Sequence, residues 1–392
     1  MERVVVVHPD VNFGGGAEAV AAHTVDALSR LHDVTLVTWS QPDRAQLDSL
    51  FGTELASAPF RVVAASTSVR APNTVSRHLL FRHVVGSRVA RSTLAGQHLV
   101  IGTHGELTTQ LPTIQYVHHP IYSSRVPPEI LTGVRQGLAE RLTRMAARAA
   151  ARALVGGSRA AFGRSTTLTN SLFMAEWIER AWGICARVLW PPIPLAARPR
   201  ITWETRESGV VCVGRLIPGK RILEIIRAVA EARRLGADLH LHVVGEGAGA
   251  YAAAVRAACR RDTGATYEGV LSLPDVTELL SGHRFGVHAA RYEHFGISLA
   301  QMVRAGCITF AANGGAPAQT LASTPYLLYD DFEQLASRLK TISCDRALQA
   351  QLRIDLAPIR EAFERHRFGQ EMASVVRERL ERHEPPAIST SA

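Results

Sequence analysis

The chain has 392 residues, 46% apolar and 20% charged, with a formal net charge of +9. That length exceeds one ordinary core and suits two domains of roughly 150–200 residues in a soluble globular protein. No apolar run reaches the ~18–20 residues that span a bilayer. The first residues lack a secretory pattern, and five scattered cysteines read as reduced core residues rather than a disulfide or metal framework, so a cytoplasmic protein is expected.

The positive charge is almost wholly arginine. Lysine occurs only at Lys220 and Lys340, which marks Lys220, in a glycine-containing turn, as a candidate for chemistry that wants a compact ammonium.

Along the chain, short β-branched runs alternate with longer alanine- and leucine-rich stretches. Strands are predicted at 4–8, 34–38, 61–64, 98–102, 113–117, 153–156, 210–213, 239–244, 285–288 and 307–311. Buried strands separated by helices predict parallel sheets and doubly wound α/β layers. The first strand runs into a glycine turn, Gly14-Gly15-Gly16-Ala17-Glu18, whose N–H groups at a helix start suit an anion.

An arginine-rich run at 135–152 has helical spacing and offers a face for anionic lipid or an anionic acceptor, or simply a solvated surface. No basic platform interleaved with aromatics appears, so nucleic acid is not an expected partner. His104, His118 and His119 lack a third ligand at metal spacing, and no metal or other cofactor is expected. Trp190-Pro191-Pro192-Ile193-Pro194 is the strongest break. It divides an expected first domain, 1–194, from a second, 195–362, with a helix at 363–383 and a tail at 384–392. Two such domains place a cleft at the carboxyl ends of their strands.

The second half opens with Gly214-Arg215-Leu216-Ile217-Pro218-Gly219-Lys220, a strand end and turn that bring two cations together, fit for a diphosphate. Gly245-Glu246-Gly247 and the segment around Leu271 offer main-chain groups to a base or ribose. The most informative stretch is Glu293-His294-Phe295-Gly296-Ile297-Ser298-Leu299-Ala300-Gln301. A carboxylate for sugar hydroxyls precedes a helix start whose N–H groups at Gly296, Ile297 and Ser298 suit a phosphate. Ser298 and Gln301 also have capping-box spacing.

These motifs, in this order, resemble the GT-B retaining glycosyltransferases of family 4. The segments His8-Pro9 with Gly14-Gly15-Gly16, Tyr116-Val117-His118-His119-Pro120, Thr169-Asn170-Ser171, Pro191-Pro192-Ile193 and Glu293-His294-Phe295-Gly296-Ile297-Ser298 resemble the GDP-mannose-dependent α-mannosyltransferases of lipid-linked oligosaccharide assembly. The resemblance implies two Rossmann-like domains facing each other across a cleft. It also implies transfer of a hexose-like sugar from a nucleotide-diphosphate donor, a GDP-sugar by motif, to a small metabolite or a saccharide.

Position by position, it implies that Gly15 and Gly16 lie against the diphosphate and that Arg215 and Lys220 support its departure. Glu293 holds sugar hydroxyls, and His118 contacts the transferred sugar. Gln301 stands where the family carries a second glutamate for the ribose. A nucleotide-sugar epimerase or pseudo-glycosyltransferase on the same fold is the alternative, and a silent sugar-binding scaffold is a third reading.

Overall fold

The valine run that opens the chain is fully enclosed, Val4, Val5 and Val6 each having no exposed surface. It forms the middle of a sheet. The computed structural model describes residues 1–64, 95–123, 138–196 and 201–382. They divide into two compact units, one from the described residues up to Pro192 together with Arg367 onward, the other from Ile193 to His366.

The first unit holds strands β1 (Arg3–Val7), β2 (Asp33–Thr38), β3 (Phe60–Ala64), β4 (Leu99–Gly102), β5 (Thr113–Val117), β6 (Thr166–Thr169) and β7 (Arg187–Val188). Every pairing is parallel, in the order β3-β2-β1-β4-β5-β6-β7. The C-terminal helix Phe368–Glu381 belongs to this unit. Its buried face, Phe368, Met372, Val375 and Val376, joins the core formed by Val4, Val20, Leu28 and Tyr116.

The second unit holds β8 (Glu207–Val213), β9 (His240–Val244), β10 (Ala265–Gly269), β11 (His283–His288), β12 (Ile308–Ala312) and β13 (Leu328–Tyr329). They pair in parallel in the order β10-β9-β8-β11-β12-β13. Both sheets therefore reverse their winding direction once, at β1/β4 and at β8/β11. The described residues are α/β, with two doubly wound parallel sheets. No helix among the described residues is long and apolar enough to cross a membrane.

Two sequence expectations are corrected. Residues 153–156 are not a strand: the alanine-rich helix Leu138–Leu154 takes the first two, and Val155 and Gly156 form a turn with Gly156 at φ 63°. The terminal helix does not begin at 363. Phe363 lies in the last turn of the preceding helix, Arg346–Arg365, and the extended residue His366 breaks the path before Phe368. Residues 135–137 of the arginine-rich run, and the tail at 384–392, lie outside the described residues.

Because Met372 has no exposed surface in the first unit's core, Met372→Ala should cost about 2–5 kcal/mol. Urea unfolding reads this directly, and a loss below about 1 kcal/mol would contradict the helix's place in that core.

Candidate functional site

In the second unit the site forms where β8 and β11 lie side by side, the crevice in which doubly wound sheets take ligands. Arg215 follows β8 and is exposed. A short 3-10 turn, Pro218–Lys220, then folds back, so that the Lys220 stem lies 3.7 Å from where a side chain on Gly214 would stand. Glu293 follows β11, and the Lys220 ammonium donates a charged hydrogen bond to its carboxylate. Two groups 73 positions apart thus form one ion pair, with the side chains 21% and 25% exposed.

The loop that presents Glu293 is held from its backbone. Tyr292 adopts a left-handed conformation, φ 55°, which costs free energy for any residue with a Cβ. Gly315 lies against it: a Cβ there would come within 2.8 Å of Tyr292 Cα and 2.9 Å of the Glu293 backbone. The Ala316 N–H donates to the Glu293 carbonyl at 3.0 Å.

Beneath the pair is His288, which sequence reasoning missed. Its ring is buried at the end of β11, with Nδ1 bonded to Ser298 Oγ at 3.1 Å and Nε2 3.7 Å from the Glu293 carboxylate. Burial, and then the Lys220 ammonium, push His288 down to about 4, so the ring is neutral at pH 7. For Glu293, burial raises the carboxyl, but Lys220 and His288 outweigh it and hold the group at about 2. A neutral ring, an anion and a cation in contact make a site with fixed charges.

The helix Ile297–Ala305 starts at Gly296, whose φ is 87°. Ala300 makes the first intrahelical bond, to the Gly296 carbonyl. The N–H groups of Ile297, Ser298 and Leu299 therefore lack intrahelical acceptors, at the positive end of the helix dipole. The Ser298–Gln301 capping box does not form, because Ser298 lies inside the helix and its hydroxyl bonds His288. Gln301 is buried and sends its side-chain N–H to the Pro194 carbonyl at 2.7 Å. An amide suits this contact, since an ionised carboxylate has no proton to donate to a carbonyl.

Gly245 is needed for close approach: a Cβ would stand 2.1 Å from the Gly214 carbonyl oxygen. Its own N–H and carbonyl are bonded to Gly269 and Tyr267. Glu246 is exposed, its carbonyl accepting from Leu216 N–H, while half-buried Leu271 packs against the core beneath β8.

The first unit has its own cluster at β1/β4. His8 bonds Thr103 Oγ1 through Nδ1 at 2.9 Å, and its Nε2 lies 3.5 Å from Glu18. Gly15 N–H donates to Glu18 Oε2 at 2.8 Å. The helix end at Gly15 and Gly16, read as an anion site, is thus served by the chain's own carboxylate. His118 is buried, with its ring centroid 4.9 Å from Tyr116 and 6.4 Å from His104.

Glu106, also missed from sequence, accepts from Ile121 N–H and Trp182 Nε1, and burial pushes its carboxyl up to about 7. Sequence spacing gives no signal for either His288 or Glu106. The structure brings Lys220, Glu293, His288 and Ser298 together in one unit. Gly15, Gly16 and His118 belong to the other.

Two outcomes follow from these contacts. Gln301→Glu should lower the stability of the second unit by roughly 1–3 kcal/mol, the cost of facing a carbonyl without a donor; unchanged thermal unfolding would contradict the Pro194 bond. His288 has a folded value below its ordinary 6.5, so its share of stability is present above pH 6.5 and is lost as pH falls toward 4. Relative to His288→Asn, the parent should therefore lose stability over that window, and a pH-independent difference between them would contradict the buried neutral ring.

Residues 207–345 match the family model described as glycosyl transferases group 1, a span that contains Arg215, Lys220, Glu293 and Gln301. No curated protein matches the chain by sequence. Among solved structures, WaaG, a glycosyltransferase involved in lipopolysaccharide biosynthesis, is 14% identical with a TM-score of 0.67, over 95% of this chain and 99% of its own. Sucrose-phosphate synthase from Thermosynechococcus elongatus is 16% identical with a TM-score of 0.69, over 96% and 99%. HepE from Anabaena, solved with UDP and glucose, is 13% identical with a TM-score of 0.65, over 96% and 100%. At such identities the likeness is one of fold: residues 207–345 match the group 1 glycosyl transferase model, and the chain carries the two parallel-sheet Rossmann-like domains of the GT-B fold.

Proposed function

We propose that the chain is a retaining glycosyltransferase of the family 4 kind, acting in the cytoplasm. It moves a hexose-like unit from a nucleotide-diphosphate sugar to a nucleophile on a small metabolite or saccharide. The observation that carries this reading is the Lys220–Glu293 pair at the switch of the second sheet, inside the segment that matches the group 1 model.

Each member of that pair suits one half of the donor. The ionised Glu293 accepts from sugar hydroxyls, and the Lys220 ammonium, with Arg215 beside it in sequence, meets the diphosphate. As the bond from sugar to phosphate breaks, negative charge grows on the departing oxygen. Lys220, Arg215 and the N–H groups at Ile297 and Ser298 are there to stabilise it. Attack from the same face, with the departing phosphate oxygen taking the acceptor's proton, retains configuration and uses no residue as a covalent nucleophile. Cations and a helix end serve the diphosphate, so this reading uses no catalytic metal.

The motif resemblance favours a GDP-sugar, whereas HepE is solved with UDP-glucose. A thermal-shift screen of GDP-, UDP-, ADP- and TDP-sugars identifies the base by which set stabilises the protein. With that donor, Lys220→Ala should cut turnover by about 10²–10³-fold, the scale for removing a group that stabilises developing charge. Turnover near that of the parent would contradict the assigned role.

A further inference from the structure

Three imidazoles meet at the amino edge of the second sheet, the end opposite the strand termini that lead to Lys220 and Glu293. His240 and His242 stand two residues apart on β9 and share a face. His283 opens β11. β8 runs between those strands, and its residue paired with His240 is Gly209, while His283 pairs with Glu207. A Cβ on Gly209 would stand 2.3 Å from His240 Nε2 and 2.5 Å from His283 Cδ2. Glycine at this position lets the rings close over the central strand.

The three ring centroids lie 4.6–5.2 Å apart, and one ligating atom from each lies within 4.8 Å of the others. His240 Nε2 and His283 Nε2 are 3.1 Å apart. Second contacts aim two of the rings. His283 Nδ1 bonds the Leu279 carbonyl and His242 Nδ1 bonds Glu268 Oε1, each at 2.6 Å. A proton on Nδ1 leaves Nε2 of each ring with its lone pair, the arrangement in which outer partners orient histidine ligands.

The geometry points to a transition-metal site, best suited to Zn²⁺, held by His240, His242 and His283 with Glu207 as fourth donor. Glu207 Oε2 lies 3.5 Å from His240 Nε2 and 4.0 Å from His283 Nε2. Zn–N bonds of about 2.0–2.1 Å place tetrahedral nitrogens about 3.3 Å apart, close to the 3.1 Å between His240 and His283 and within reach of His242 by a small ring adjustment. Three imidazoles select zinc, copper or nickel over magnesium or calcium, which prefer oxygen. His240 is 37% and Glu207 66% exposed, so an ion has a route in, while His283 is 6% exposed and anchors the site. The ion clamps three adjacent strands and takes no part in sugar transfer. A metal-free hydrogen bond between His240 and His283 is the competing arrangement.

Calorimetry on the full, untagged, chelator-stripped chain separates the two. ZnCl₂ should bind at one equivalent per chain, and MgCl₂ should give no heat. His240→Ala should weaken Zn²⁺ binding by about tenfold or more, and so should Glu268→Ala, which removes only an orienting contact. Co²⁺ in place of Zn²⁺ should show the visible bands of four-coordinate nitrogen and oxygen ligation. The half-exposed His240 is the ring to replace, because losing buried His283 endangers folding. Absence of Zn²⁺ binding, or equal affinity in the parent, His240→Ala and His242→Ala, overturns the site and leaves the histidine–histidine hydrogen bond.

Discussion

The parallel pairing of β8 with β11 is the constraint on which the second unit depends. Phe285 lies opposite Val210 and Gly286 opposite Val211, although more than seventy residues separate them along the chain. Once that register is set, the residues beyond the two carboxyl ends must share a crevice, and Lys220 meets Glu293 there. Toward the amino ends the β8–β11 register shifts, which puts Glu207 beside His283, while the pairing of β8 with β9 sets Gly209 opposite His240. Two chemically unlike clusters thus form at opposite ends of β8, where it meets its neighbours.

The carboxyl-end cluster is built to keep its charges in place. A carboxylate held near 2 stays ionised at any physiological pH, and a ring held near 4 stays neutral. Neither group changes its protonation state near neutral pH, so the site reads as electrostatic and positional rather than as general acid–base machinery. The backbone agrees. Tyr292 is kept left-handed by its packing on Gly315, strain of the sort that fixes a functional loop. The ion pair also satisfies two partly buried charges that would each be costly alone. A ligand with both phosphate oxygens and hydroxyls can replace each partner with an equivalent one.

What the sequence shows and hides has a physical pattern. Runs such as Val4-Val5-Val6-Val7 are legible as strands because both faces of a parallel sheet are buried, and the glycine turns after them are legible because only special backbone conformations end such strands. Residues 153–156 look like a strand only because an apolar triplet meets two glycines; the long alanine-rich helix before them takes precedence. The Thr-rich β6 was hidden by its polarity, although Thr167 and Thr169 are buried.

Within the site, Lys220 and Glu293 stand out by rarity and motif. Contacts between residues distant in sequence do not. His288 acquires its meaning only when β11 is laid beside β8, and the His240–His283 contact only when Gly209 is seen between them. Gln301 matches a family position by spacing, yet its amide is explained locally by the Pro194 carbonyl.

The central claim is that the Lys220–Glu293 pair grips a sugar diphosphate, and a crystal structure with the stabilising nucleotide sugar tests it most directly. The account predicts that Glu293 turns from Lys220 to accept from a sugar hydroxyl while the ammonium moves onto a phosphate oxygen, with the helix end at Ile297 facing the same phosphate. A donor bound elsewhere, with the ion pair intact, would contradict it.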